Sequence, residues 1–290
     1  MTFTESALSF DCNDARLYGV LSLPEQAGST GVLVVVGGPQ YRAGSHRQFT
    51  LLARHLAQRG ISVMRFDYRG MGDSEGPPSS FEDINEDVRA AVDQFFAAVP
   101  GLREVALWGL CDAASAALFY APQDARVTGL VLLNPWARTE QGAAKAYLKH
   151  YYLTRLFEPG LWKKILSGNF SFAAAAKSFA SLVGQASSSP PAPADEARDD
   201  ATADAVASLP ARMQDSLARF KGRVLIILAG KDLTAQEFSD LGASSSAWKK
   251  LLASPRISRR ELAEADHTFS RRAWRDQVAD WTADWVNTGN

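Results

Sequence analysis

The sequence has few cysteines and no excess of charge of either sign. Only Cys12 and Cys111 occur among 290 residues, so the chain cannot build a disulfide framework. Its 31 lysines and arginines nearly balance 32 aspartates and glutamates, which leaves a formal net charge of −1. A near-neutral chain without a basic block makes a nucleic acid a poor partner.

Long apolar runs and a targeting segment are also missing. The longest apolar runs, such as 32–36, are far too short to cross a bilayer. Residues 1–11 show no basic region followed by an apolar stretch, so we expect no signal peptide and a cytoplasmic location. The remaining composition, 46% hydrophobic and 22% charged, is ordinary for a globular protein.

Short apolar runs alternate along the chain with segments of helical periodicity. The predicted strands are 17–23, 31–36, 61–66, 105–108, 127–133, 224–229 and a weaker 256–262. This alternation predicts an α/β fold with a mostly parallel central sheet and helices on both of its faces.

The alternation stops between residues 136 and 220, where no apolar strand run occurs. We interpret 136–220 as a helical lid inserted into a core formed by 1–135 and 221–290, with a mobile Ser/Pro linker near 186–195. Such an insertion is expected over the ends of the strands, where open α/β sheets bind ligands. The oligomeric state stays open.

The segment 107–113 combines a strand, an abrupt turn and the start of a helix around Cys111. Gly109 and Ala113 flank the cysteine at two residues on either side, and a tight strand-to-helix turn needs such small neighbours. The helix N-terminus favours a thiolate, which is the attacking form, and the amide of Asp112 would face a developing oxyanion. The alternative is a small buried cysteine without chemical function.

An acid and a histidine follow later strands in the order nucleophile, acid, histidine. Asp232 comes directly after the strand 224–229, and His267 follows the last predicted strand. Asp232 would hold the imidazole of His267, which would take the thiol proton and later activate water. Asp266 is a rival acid and His46 a rival base, but a carboxylate next to the histidine usually points elsewhere.

These residues, with segments 37–40 and 65–74, resemble the α/β-hydrolase superfamily over nearly the whole chain. Within it, 37–47 (GGPQYRAGSHR) and 108–112 (WGLCD) resemble the type 1 hydrolases associated with the exosortase A system. Those hydrolases are encoded beside bacterial exopolysaccharide genes. The resemblance implies the α/β-hydrolase fold and an acyl hydrolase that needs no cofactor.

Two departures from the superfamily pattern affect the site. The usual serine is Cys111 here, as occurs in dienelactone hydrolases. The usual His-Gly of the oxyanion loop is Gly37-Gly38, and the following Pro39 has no amide hydrogen to donate. We therefore assign the oxyanion donors to Asp112 and to Gln40, the latter by its backbone or its side chain.

Other conspicuous residues have more ordinary interpretations. The lid aromatics Trp136, Tyr147 and Tyr151 are candidates for the substrate-binding wall, although such residues are more often core. In the segment 65–74, Arg69 and Asp73 are expected to make structural hydrogen bonds. No histidine pair at ligand spacing occurs, so we expect no metal site.

Together these features predict hydrolysis of a small-molecule ester or thioester through a Cys-His-Asp triad and a covalent thioester. Two alternatives stay open. The thioester could pass its acyl group to an amine or alcohol, or the chain could be a binding domain of the same fold without activity.

Overall fold

A single eight-stranded sheet organises the protein, whose computed structural model describes residues 2–38, 40–137 and 207–288. The strands are β1 (Phe3–Cys12), β2 (Ala15–Pro24), β3 (Thr30–Val35), β4 (Val63–Asp67), β5 (Glu104–Leu110), β6 (Val127–Leu133), β7 (Arg223–Ala229) and β8 (Ile257–Leu262). They pair in the order β1-β2-β4-β3-β5-β6-β7-β8. The β1–β2 and β2–β4 pairs are antiparallel and the others parallel, which confirms the predicted sheet.

Helices cover both faces of this sheet. The described α-helices are α1 (Gln48–Gln58), α2 (Asn85–Ala98), α3 (Asp112–Tyr120), α4 (Leu209–Arg219), α5 (Leu233–Ser244), α6 (Ser246–Leu252) and α7 (Arg272–Asn287). Successive strand residues point to opposite faces, so Val32 and Val34 pack with α1 and α7. Leu33 and Val35 point to the opposite face and pack in a separate hydrophobic cluster with α2, α3 and α4. Two apolar layers thus enclose the sheet, as predicted.

Two elements differ from the sequence-based expectation. Strand β1 was not predicted, because most of its residues are exposed and its sequence carries no buried apolar run. Helix α4 falls within the stretch 136–220, yet its Met213 and Leu217 are buried in the core. Residues 138–206 of the predicted lid, including the linker near 186–195, lie outside the described residues.

The segment 65–74 is held by buried charges, which fits the structural interpretation. The Asp67 carboxylate is fully buried and accepts hydrogen bonds from the backbone N–H and the guanidinium of Arg42. The same guanidinium reaches Asp73 at 2.6 Å, and Arg69 pairs with the buried Asp87 at 2.9 Å. The Arg42 pairs fix the loop that follows β3 against the end of β4, and the Arg69 pair fixes the segment after β4 to α2. Among the helices described, none is long and apolar enough to span a membrane.

Candidate active site

Cys111 stands at a strained turn between β5 and α3. Its backbone has φ 63° and ψ −124°, an unusual conformation for a residue with a side chain. The turn requires Gly109, because a Cβ there would lie 2.5 Å from the carbonyl oxygen of Ala113. The Cys111 N–H donates to the carbonyl of Leu133 at 2.9 Å and so ties the turn to β6. The side chain is left half-buried at the N-terminus of α3.

Asp232 and His267 meet beyond the carboxyl ends of β7 and β8. The Nδ1 of His267 lies 2.9 Å from Oδ2 of Asp232, whose side chain is 8% exposed. Asp232 also caps α5 by accepting the N–H groups of Thr234 and Ala235. The rival Asp266 accepts the N–H of Ser270 at 2.9 Å.

The imidazole of His267 is strongly stabilised in its protonated form. Its hydrogen bond to Asp232, followed by that to the Cys111 thiol, raises the pKa of His267 to about 10, against the opposing effect of burial. A ring with this pKa carries its proton at neutral pH. The ring can therefore serve as a proton donor at the cavity that it lines.

The two other histidines among the described residues lie outside the cavity lining. His46 is in a short 3-10 turn before α1, and His55 within α1 has its Nε2 3.0 Å from Asp280.

Asn134 is a site-supporting residue that the sequence analysis missed. It is fully buried just after β6. Its side chain accepts the N–H of Ala229 at 2.8 Å and donates to the carbonyl of His267 at 2.9 Å. Asn134 thus joins the end of β7 to the histidine loop. The sequence feature that could have predicted this role is a polar residue directly after a buried parallel strand.

We expect Asn134→Ala to lower the free energy of unfolding by about 2–4 kcal/mol, because the buried N–H of Ala229 and the partly buried carbonyl of His267 lose their partners. Denaturant unfolding measures the effect. The matched control is Asn287→Ala at the exposed end of α7, which should stay within about 0.5 kcal/mol of the unsubstituted protein. Equal stability of the two variants would contradict the proposed role of Asn134.

A cavity of about 360 Å³ opens at this end of the sheet. Its lining includes most of the sequence-predicted site residues, namely Gln40, Cys111, Asp112, Trp136 and His267. Phe49, Phe81 and Leu110, which were not predicted, add an apolar wall. The predicted substrate-binding residues Tyr147 and Tyr151 lie outside the described residues.

The loop after β3 meets the turn at Cys111 through the Asp112 side chain. The N–H of Gly38 donates to Oδ2 of Asp112 at 2.7 Å, and the N–H of Ala113 donates to Oδ1 at 2.9 Å. Burial raises the pKa of Asp112, and these backbone hydrogen bonds oppose that rise. Gln40 accepts a hydrogen bond from the side-chain amide of Gln48 at 3.3 Å.

Solved structures of similar fold include enzymes. An esterase of Pyrococcus furiosus superposes with a TM-score of 0.65 at 13% identity, covering 99% of this chain and 91% of that one. A dienelactone hydrolase of Anabaena variabilis gives a TM-score of 0.59 at 15% identity, covering 99% and 98%. At such identities the likeness concerns the fold.

Curated relatives match shorter segments. The polyketide transferase claH of Penicillium crustosum is 28% identical over 123 residues, 41% of this chain and 40% of that protein. The quorum-quenching protein AidA of Acinetobacter baumannii is 28% identical over 135 residues, 44% of this chain and 43% of that protein. The chain thus matches less than half the length of these relatives. Residues 32–281 match the model of the alpha/beta hydrolase family, and the chain therefore belongs to that family.

Proposed function

We propose that the protein is an acyl hydrolase that cleaves carboxylic esters or thioesters through a thioester on Cys111. The observation that carries this proposal is the 2.9 Å contact between Asp232 and His267, with His267 and Cys111 lining the same cavity. A nucleophile, a base and a group that orients the base are the parts that acyl transfer requires. Nothing in this chemistry requires a cofactor.

In the first half-reaction, the Cys111 thiolate attacks the acyl carbonyl carbon. The tetrahedral intermediate collapses as the bond to the leaving oxygen or sulfur breaks, and protonated His267 gives its proton to that atom. In the second half-reaction, neutral His267 takes a proton from water, and the resulting hydroxide attacks the thioester. The thiolate leaves, the acid product departs, and His267 again holds a proton.

The oxyanion of both intermediates needs two donors, and we propose the Asp112 N–H and Gln40. The N–H of Gly38 is already engaged by the Asp112 carboxylate, and Pro39 has no amide hydrogen. Gln40 is the next residue of the loop and lines the cavity with Cys111. Because its side-chain oxygen accepts from Gln48, the side-chain N–H₂ remains as a donor.

We expect Gln40→Leu to lower kcat for an activated ester by about 100-fold with little change in KM, because an oxyanion donor acts in the transition state. Stopped-flow kinetics with p-nitrophenyl butyrate measures both constants. Gln58→Leu at the exposed end of α1 is the matched control and should match the unsubstituted protein. Unchanged kcat in Gln40→Leu would remove Gln40 from the oxyanion hole.

The cavity favours an apolar acyl group. Phe49, Phe81, Leu110 and Trp136 supply carbon surface, and burial of apolar surface drives such binding. Trp136 is therefore proposed as a substrate-binding residue, and Tyr147 and Tyr151 stay predictions of the sequence. A cytoplasmic location and a role in exopolysaccharide synthesis, as in the exosortase-associated hydrolases, also stay predictions.

The direct test is the intact mass of the protein after brief mixing with a panel of esters and thioesters and an acid quench. An added mass equal to the acyl group supports covalent catalysis. No adduct from any member of the panel, with the protein folded, would favour the binding-domain alternative. A cysteine inert to mild alkylating agents would point the same way.

Acyl transfer is the second candidate, and the polyketide transferase among the relatives favours it. A thioester intermediate reacts readily with an amine or alcohol in place of water. Product analysis with and without an added acceptor separates the two reactions. Free acid in the presence of acceptor supports hydrolysis, whereas an amide or a new ester supports transfer.

A further inference from the structure

The Asp112 carboxylate lies inside the candidate active site, yet no step of the proposed reaction uses it. We propose that this carboxylate is a positioning residue that fastens Gly38 to the turn at Cys111, and so aims Gln40 at the acyl carbonyl. This inference rests on the proposed function.

The two oxygens of the carboxylate bind two different elements. Oδ2 accepts the N–H of Gly38 from the loop at 2.7 Å, whereas Oδ1 accepts the N–H of Ala113 from α3 at 2.9 Å. One side chain thereby joins segments 74 residues apart in the sequence. A carboxylate is suited to this task, because both of its oxygens accept and neither donates.

The carboxylate lies close to the loop, and both Gly37 and Gly38 suit this close approach. A Cβ on Gly37 would lie 2.1 Å from Oδ1 of Asp112 and 2.8 Å from the amide nitrogen of Ala113. A side chain at this position would therefore push the loop away from the turn. Gly38 has φ +58°, a conformation that favours glycine, and directs its N–H to the carboxylate.

Gln40 lies between two points where the loop is held. On one side is the Gly38–Asp112 hydrogen bond. On the other, the backbone N–H of Arg42 donates to the buried Asp67 at 2.6 Å. Gly38 and Arg42, each two residues from Gln40, are held by carboxylates, which restricts the motion of Gln40. A donor fixed in advance stabilises a transition state better than a mobile one. Asp112 thus removes the Gly38 N–H from the oxyanion hole and leaves that role to Gln40.

Asp112→Asn tests this arrangement with a small change in shape. An amide has one accepting oxygen, so either Gly38 or Ala113 must lose its partner. Asp112→Ser is a second variant, too short to reach both groups. We expect acylation of Cys111 by p-nitrophenyl butyrate to slow by about 10–100-fold in both variants, the range for a misplaced oxyanion donor.

Alkylation of Cys111 by iodoacetamide separates this role from a general effect on the nucleophile. Alkylation forms no oxyanion, so a misplaced oxyanion donor should not slow it. Loss of the negative charge of Asp112 also favours a thiolate nearby, so the rate of alkylation should stay the same or rise. Asp215→Asn, at an exposed ion pair on α4, is the matched control and should leave both rates unchanged.

Slow acylation with retained alkylation supports the inference. Rates that fall together, or loss of folded protein in both variants by circular dichroism, would make Asp112 a support of the nucleophile or of the fold, and would overturn it. Acylation as fast as or faster than in the unsubstituted protein would also overturn it, since a freed Gly38 N–H would then serve as donor. If the unsubstituted protein gains no acyl mass, the proposed function fails, and this inference with it.

Discussion

Cys111→Ala is expected to abolish the acyl adduct and to lower ester turnover by about 10⁴-fold or more. Loss of the nucleophile removes the covalent route, and residual rates in comparable triads come from binding and the oxyanion hole. The measurement pairs intact mass after acid quench with steady-state hydrolysis of p-nitrophenyl butyrate. His267→Ala should reduce turnover to a similar degree, because neither the leaving group nor water would then exchange protons with the site.

The chain offers a matched control in its other cysteine. Cys12 is buried at the end of β1, where burial raises the pKa of its thiol. Cys12→Ala should retain the adduct and the turnover. An acyl mass that persists in Cys111→Ala but disappears in Cys12→Ala would contradict the assignment of the nucleophile.

Asp232→Asn is expected to lower kcat by about 10³–10⁴-fold, because the imidazole loses the partner that orients it and stabilises its charge. The same substitution should change the pH profile. Asp232 is the largest cause of the raised pKa of His267, about 10 in the folded protein. Protonated His267 supplies the leaving-group proton, so kcat/KM falls as pH rises through that pKa.

In the Asp232→Asn variant the pKa of His267 drops, so the fall of kcat/KM at alkaline pH should begin at a lower pH. Asp266→Asn is the control, since Asp266 carries the same charge one residue from His267 but binds Ser270. Its alkaline decline should match that of the unsubstituted protein. If Asp266→Asn shifted the decline and Asp232→Asn did not, Asp266 would be the orienting acid.

Local sequence patterns predicted most of the sheet. Strands β3 and β5 to β7 are short and buried on both faces, so each is a continuous apolar run bounded by glycine or polar residues. Strand β1 escaped prediction because its stability comes from pairing with β2 along one edge, and an exposed edge strand needs no apolar run. Helix α4 was assigned to the insertion because sequence order does not reveal which surface a helix packs against.

The candidate site likewise has features that local sequence predicts and contacts that it does not. Some features of the site are visible in short stretches of sequence. The tight turn requires small residues around Cys111, and an acid and a histidine each follow a predicted strand. The sequence alone therefore indicated Cys111, Asp232 and His267 as the candidate nucleophile, acid and base.

Only the tertiary structure decided which atoms meet. It brings the carboxylate of Asp232 to His267, turns that of Asp266 to Ser270, and sets the side chains of Asn134 and Asp112 between distant segments. The reason is physical: a buried hydrogen bond depends on distance and direction in space, and partners 74 or 133 residues apart leave no periodic trace in the sequence.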